Sequence, residues 1–232
     1  PPSSPGSPMS PADEARETAA GRGRFVTLEG GEGSGKSTVA RALARRLRAA
    51  GLPVRLTREP EGTPLGRFLW RAFRLRSSLP APDPLAELFL FEAARAQHVR
   101  EVVRPALEAG QTVLCERFTD STLAYQGYGR GLELELVRRL NALAAGGLLP
   151  DLTLLLDVPP EVGLARKARQ RAAADRIGQE GREFHRRVRE GYLALAREEP
   201  TRFLVVDATR PLPEVLALLW ERLRQLHHGL PP

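Results

Sequence analysis

Gly30-Gly31-Glu32-Gly33-Ser34-Gly35-Lys36-Ser37 decides the fold. The stretch fits G-x-x-x-x-G-K-[ST] in full. It stands between a short apolar run, Phe25-Val26-Thr27-Leu28, and a helical stretch from Val39 to Ala50 that Gly51 ends. The glycines let the backbone curl so that N–H groups face phosphate oxygens, and the helix behind adds the positive end of its dipole. Lys36 offers a point charge to the β- and γ-phosphates of a nucleoside triphosphate, and the Ser37 hydroxyl a ligand for Mg²⁺. Gly30, Gly31, Glu32, Gly33, Ser34, Gly35, Lys36, Ser37 and the adjoining Thr38 are therefore read as the triphosphate cradle.

Outward from this loop the chain alternates. Strands are predicted at Phe25–Leu28, Pro53–Thr57, Thr112–Cys115, Leu152–Asp157 and Phe203–Val206. Helices are predicted at Val39–Ala50, Pro84–Ala109 (with Pro105 near its end), Leu132–Ala145, Pro160 to about Ala174, Gly178–Glu199 and Leu212–His227. That order implies an α/β fold: a five-stranded, parallel sheet with helices on both faces, of the P-loop NTPase kind. Residues 1–22 are rich in Pro, Ser, Ala and charge and show no hydrophobic period, so they are expected to be a disordered extension, with 23–232 as one domain.

The 232 residues suit a single domain, and 42% hydrophobic content fills a sizeable core. Aromatics are 6%, so Leu, Val and Ala carry the packing. The formal charge of +7 suits small polyanions such as nucleotides, a nucleic acid, or simply a solvated arginine-rich surface. Nucleic acid is not the expected partner. The single cysteine, Cys115, has no internal partner for a disulfide and lies in an apolar run, which reads as packing. No apolar stretch reaches the roughly 18 residues that span a bilayer, and no signal-peptide core is seen, so a cytoplasmic location is expected and no membrane partner.

Phosphoryl transfer needs positioning and charge neutralisation more than covalent chemistry. Ligands in open α/β sheets bind at the carboxyl ends of strands, which makes Glu116 and Asp157 candidates beside the cradle. For Asp157 a helix N-cap before Pro159-Pro160 is an equal reading. Arg58 and Arg117 follow the second and third strands and suit a second phosphate-bearing substrate. Glu32 inside the cradle would repel phosphates unless it orients Mg²⁺ or holds Arg58 or Arg117. Arg166, Lys167, Arg169, Arg171 and Arg176 follow the fourth strand; a solvated face is the leading reading for Arg166 and Lys167.

At this point the sequence resembles the bacterial thymidylate kinase family over about residues 24–228. The stretches are Leu28–Thr38, Thr57-Arg58-Glu59-Pro60-Glu61-Gly62-Thr63, Leu90-Phe91-Glu92-Ala93-Ala94-Arg95, Glu116-Arg117-Phe118, Asp120–Gly127 and Pro150–Val158. The resemblance implies a nucleoside monophosphate kinase-like fold and transfer of phosphate from ATP to dTMP with Mg²⁺. It implies that thymine stacks on Phe91, that Arg95 hydrogen-bonds the base, and that Thr122 and Gln126 surround it, with Ser121 beside them. Tyr125 is implied near the sugar, where its ring disfavours a 2′-hydroxyl, and Arg58 and Arg117 on the dTMP phosphate. Ser37 and Glu116 become the metal-side residues.

Catalysis falls to Lys36, Glu32, Arg117 and an arginine of a lid at about 166–179, for which Arg171 and Arg176 are the candidates. Members of the family pair into homodimers, which is expected here too. Three departures stand out. Glu116 replaces the usual aspartate, Glu61 replaces a glycine, and Trp70 stands where an arginine is usual, flanked by Arg67 and Arg71, either of which is a candidate substitute. The rival readings are a kinase for another nucleoside monophosphate or a deoxynucleoside, and a non-catalytic P-loop switch. The guanine-reading Asn-Lys-x-Asp motif is absent, since the single asparagine, Asn141, precedes Ala142.

Overall fold

Strand β1 (Phe25–Glu29) lies at the centre of the sheet and runs directly into the glycine loop. The structure, a computed structural model, describes residues 22–74, 82–169, 180–227 and 230. Most of the expected extension and the greater part of the expected lid, with Arg171 and Arg176, lie outside them. The five strands, with β2 (Val54–Arg58), β3 (Thr112–Glu116), β4 (Leu152–Asp157) and β5 (Phe203–Asp207), pair in parallel in the order β2-β3-β1-β4-β5. The strands match the predicted ones to within a residue at each end. The near-continuous apolar runs of β1, β3 and β4 reflect burial on both faces, whereas the edge strands β2 and β5 are only partly buried.

Helices cover both faces. Val26, Leu28, Leu154 and Leu156 pack against Leu43 and Leu47 of α1 (Lys36–Ala49) and against Leu219 and Leu223 of the last helix, Leu212–Leu226. Leu155 and Phe203 face the other way, onto Val188, Tyr192 and Leu195 of the helix Arg182–Glu198. Phe25, Val113 and Phe118 close a third cluster with Val103 and Leu107. Cys115 belongs to it, fully buried as expected, and burial pushes its thiol upward.

Helix α2 (Pro64–Arg74) was not foreseen. Its signal is Thr63-Pro64, because the Thr63 hydroxyl accepts the Gly66 N–H at 3.0 Å and Pro suits the first helical turn. The long predicted helix is α3 (Pro84–His98), a π-helical turn at Val99–Val103, and α4 (Arg104–Glu108). The widened turn sits just before Pro105, whose ring would crowd the carbonyl four residues back. The stretch between the third strand and the next helix, given no element from sequence, is helical: α5 (Thr119–Thr122) leads into a π-helical segment, Leu123–Gly129. Then follow α6 (Leu134–Ala145), α7 (Pro160–Arg169, where the described residues stop), α8 (Arg182–Glu198) and α9 (Leu212–Leu226), with α6, α8 and α9 within a few residues of the predicted bounds.

Candidate active site

The carboxyl ends of β1, β2 and β3 open onto a cavity of about 750 Å³. Glycine is required at two places in the loop behind β1. A Cβ on Gly30 (φ 138°) would lie 2.4 Å from the Leu156 carbonyl oxygen, and one on Gly33 (φ 66°) 2.0 Å from that of Gly163. Gly35, also at positive φ, caps α1 with no side-chain hydrogen bond, and the first turn of α1 holds no acidic residue. The amino end of that helix is thus kept for an anion.

Lys36 turns back on the loop. Its ammonium donates to the carbonyls of Gly30 (2.9 Å) and Gly31 (2.8 Å) and to Ser34 Oγ (3.1 Å). Burial, with Arg117 beside it, pushes the ammonium down to about 7 against the pull of Glu32, Glu29 and Glu116. Ser37 Oγ donates to Glu116 Oε2 at 2.6 Å, which brings the two expected metal-side residues together. The described residues contain no group of three or more His, Cys, Asp or Glu able to hold a metal by themselves. Two hard oxygen donors fit Mg²⁺, which takes most of its ligands from substrate phosphates and water.

Glu32 holds Arg117, one of the alternatives its place in the loop allowed. Its Oε1 accepts from Arg117 Nη2 at 2.9 Å and its Oε2 from Lys167 Nζ at 2.5 Å. Burial alone would raise this carboxyl, but Arg117, Lys36 and Lys167 together bring it down to about 2. Lys167 corrects the solvated-face reading. Helix α7 is docked on the loop so closely that a Cβ on Gly163 would lie 2.1 Å from the Glu32 carbonyl oxygen, and Lys167 stands one turn further on. Arg166 is likewise engaged, donating to the Ala208 carbonyl at 2.9 Å.

Arg117 is the sole non-glycine of the described residues with positive φ (67°). Such a backbone costs about 1–3 kcal/mol and persists only where neighbours over-determine it. Here they do. The Arg117 N–H donates to the Leu28 carbonyl at 3.0 Å, and the next N–H, of Phe118, to Glu29 Oε1 at 2.7 Å. The guanidinium also reaches Ser121 Oγ (3.3 Å) and Tyr125 Oη (3.3 Å). Glu29 Oε2 accepts from Ser121 and Tyr192 at 2.6 and 2.9 Å. Burial, helped by Asp120, raises the Glu29 carboxyl to about 7. Glu29 was not among the sequence candidates, because the first strand was predicted to stop at Leu28 and the partners of its carboxyl are brought to it only by the fold.

The other expected acceptor residues line the same cavity: Arg58, Phe91, Arg95, Ser121, Thr122, Tyr125 and Gln126. Arg58 is exposed, and its side chain makes no hydrogen bond or ion pair to the described residues. Phe91 packs with Trp70 and Phe73, ring centroids 6.3 and 5.5 Å away. Arg95 is 2% exposed and spends its donors inside the protein, on Glu59, Glu92, Thr122, Asn141 and the Phe118 carbonyl.

Other expectations are corrected. Asp157 neither caps a helix nor faces the loop: Arg189 of α8 takes both its oxygens at 2.7 and 2.8 Å. Glu61 has no positive φ, so its replacement of a glycine strains nothing. Neither Arg67 nor Arg71 lines the cavity. Trp70 and, one turn on, Arg74 do, with the Arg74 guanidinium 5.8 Å from the indole centroid. Arg74 and Arg41 of α1 were missed; the i, i+4 spacing from Trp70 was the signal for Arg74.

Known proteins resemble this chain over nearly its whole length. The family profile "Thymidylate kinase" matches residues 28–218. A thymidylate kinase of Deinococcus radiodurans is 54% identical over 211 residues, covering 89% of this chain and 99% of the relative. One from Synechococcus sp. (strain JA-2-3B'a(2-13)) is 57% identical over 196 residues, covering 84% and 92%. The crystal structure of thymidylate kinase from Ehrlichia chaffeensis superposes with a TM-score of 0.70 at 32% identity, covering 88% of this chain and 99% of that one. With the profile and full-length relatives in agreement, the chain belongs to the thymidylate kinase family.

Proposed function

We infer that the protein transfers the γ-phosphoryl group of ATP to dTMP, giving ADP and dTDP. A phosphate oxygen of dTMP forms the new bond to phosphorus as the bond to the β,γ-bridging oxygen breaks, and ADP leaves. The dTMP phosphate is itself the nucleophile, so no side chain has to remove a proton. The observation that carries this reading is Arg117, held by Glu32 of the triphosphate loop and by Ser121 and Tyr125 of the acceptor wall. A guanidinium in that position serves both the donor and the acceptor phosphates.

The remaining roles are assigned from the family resemblance, supported for the described residues by their place in the cavity wall. Lys36 exchanges its loop carbonyls for phosphate oxygens when ATP binds. Arg58 holds the acceptor phosphate, with Arg74 supplying a further cation on the side where Trp70 stands. Phe91 carries the thymine ring, backed by Trp70 and Phe73, with Arg95, Thr122 and Gln126 around its edge. Tyr125 closes the sugar side. Bound Mg²⁺ would neutralise charge on the β- and γ-phosphates, with Ser37 and Glu116 holding it. Arg171 or Arg176 of the lid supplies the remaining catalytic charge.

A homodimer and a cytoplasmic location complete the reading. Phe68 and Leu65 on α2 and Phe89 on α3 expose apolar surface on adjoining helices (68% of Phe68 and 52% of Phe89), a face that a second copy would cover. Among the described residues no helix is long and apolar enough to cross a membrane. The test is ADP release measured with dTMP, dUMP, dCMP, dAMP and dGMP as acceptors. Release should be dTMP-dependent, with the other four far poorer. ADP release that ignores dTMP would overturn the reading.

A further inference from the structure

Glu87 of α3 has no part in the roles above, yet it is 2% exposed and lies behind the cavity wall. Its Oε1 accepts from Gln126 Nε2 at 2.7 Å. Arg130 grips the same carboxyl from the other side, Nε to Oε1 at 3.3 Å and Nη2 to Oε2 at 3.1 Å. Arg130 is fixed in turn by Glu180, at 2.5 Å, and by the Phe184 ring, 4.8 Å from its guanidinium.

Chemistry then settles which end of the Gln126 amide faces which way. A carboxylate gripped by a guanidinium only accepts hydrogen bonds, so the NH₂ of Gln126 must point to Glu87. The side-chain oxygen Oε1 accepts no hydrogen bond from the described residues, while Gln126 itself lines the cavity. The neighbouring polar groups are spent. The Arg95 guanidinium is engaged internally, and the Thr122 hydroxyl bonds Thr119 O (2.8 Å) and Asn141 Oδ1 (2.6 Å). Gln126 therefore offers the cavity a fixed acceptor. Thymine and uracil carry a hydrogen on N3, whereas cytosine has a lone pair there, so an acceptor favours the first two and repels the third. Were the amide free to turn over, its NH₂ would suit cytosine instead.

We propose that Glu87, held by Arg130, is a specificity-positioning residue: it locks the Gln126 amide with its carbonyl oxygen toward the base, selecting a pyrimidine with an N3–H over cytosine. The proposal rests on the dTMP kinase reading, and names the part of the chain that sets the choice of base without touching it.

The test compares kcat/KM for dTMP and dCMP in wild type, Glu87→Gln, Gln126→Leu and the double variant. Glutamine at 87 is isosteric but can donate as well as accept, so it releases the amide. The dTMP:dCMP ratio should fall by about tenfold in Glu87→Gln, the scale of one hydrogen bond. It should fall similarly in Gln126→Leu, and no further in the double variant, because Glu87 acts through Gln126. An unchanged ratio in Glu87→Gln, or losses that multiply in the double variant, would overturn the proposal; a purely structural role would slow both substrates alike. A second measurement uses wild-type protein alone. The Gln126 side-chain NH₂ proton on Glu87 should be protected from exchange before and after dTMP is added, and rapid exchange in both states would also overturn it. Wild type inactive on dTMP would defeat the underlying reading instead, so the two failures are distinguishable.

Discussion

Glu32 Oε1 lies 2.9 Å from Arg117 Nη2, and this pair ties the triphosphate loop to the turn after the third strand. Eighty-five positions separate the two residues in sequence. Their meeting explains why a carboxylate is tolerated among phosphate-binding groups. Its single negative charge offsets part of the charge of Arg117 and Lys167 and draws both side chains to the loop. It also helps hold Arg117 in a backbone conformation that a non-glycine residue resists.

Two variants separate the guanidinium of Arg117 from its backbone. Arg117→Ala should lower kcat by about a hundredfold to a thousandfold while ATP still binds, the range for losing one preorganised charge at the reacting phosphates. Arg117→Gly should lose as much activity yet unfold at higher denaturant than Arg117→Ala, by about 1 kcal/mol, since glycine accepts φ 67° freely. Near-normal turnover in either variant would remove Arg117 from the chemistry.

The low carboxyl of Glu32 makes part of the stability depend on acid. Its folded value of about 2 lies below the ordinary 4.5, so its contribution is full above 4.5 and is lost as pH falls through 2. The shift corresponds to a contribution on the order of 3 kcal/mol. Wild type should therefore be more stable than Glu32→Gln at neutral pH, with the gap closing between pH 4.5 and 2. A pH-independent gap in urea unfolding would contradict the pairing.

Lys36 links ATP binding to protons. In the free protein its ammonium titrates near 7, so at pH 8 most of it is neutral. Phosphate oxygens favour the charged form, and ATP binding at that pH should take up about one proton. Calorimetry in buffers of differing ionisation enthalpy counts it. Lys36→Met should abolish the uptake; equal counts for the two proteins would exclude Lys36 as its source.

Glu116 meets Ser37 at 2.6 Å where a metal on the β- and γ-phosphates would sit. Glu116→Ala should raise the Mg²⁺ concentration for half-maximal activity by about tenfold at saturating ATP. Titration of activity with Mg²⁺ is the measurement, and an unchanged midpoint would leave Glu116 a purely structural partner of Ser37.

The exposed rings of α2 and α3 give the dimer its test. Sedimentation should give twice the 25.5 kDa chain mass for wild type and the single-chain mass for Phe68→Glu. A wild-type monomer at micromolar concentration would remove the dimer from the reading.

The strands and the loop were legible because their causes are local. Apolar runs of five or six residues, glycines at a tight turn, and the lysine and serine behind them leave a pattern that no tertiary contact needs to complete. Family motifs brought Arg58, Phe91, Arg95, Arg117, Ser121, Thr122, Tyr125 and Gln126 to one list, and the fold brings them to one cavity. Helix α2 was missed although Thr63-Pro64 announces its start and Leu65, Phe68, Leu69, Ala72 and Phe73 keep a helical period.

What the chain by itself determined is thus the sheet and the cradle, both set by short-range pattern, while the expected acceptor residues followed from the resemblance to a family. Only the tertiary structure decided who pairs with whom. Glu32 meets Arg117 and Lys167, Asp157 meets Arg189 in place of the loop, Glu29 secures the turn of Arg117, and Glu87 orients Gln126. Each of these pairs joins elements far apart in sequence. A charge on a helix or at a strand end looks the same in sequence whether solvent or a distant partner satisfies it. Burial forces the choice, because a carboxylate or guanidinium taken out of water must find its partner there.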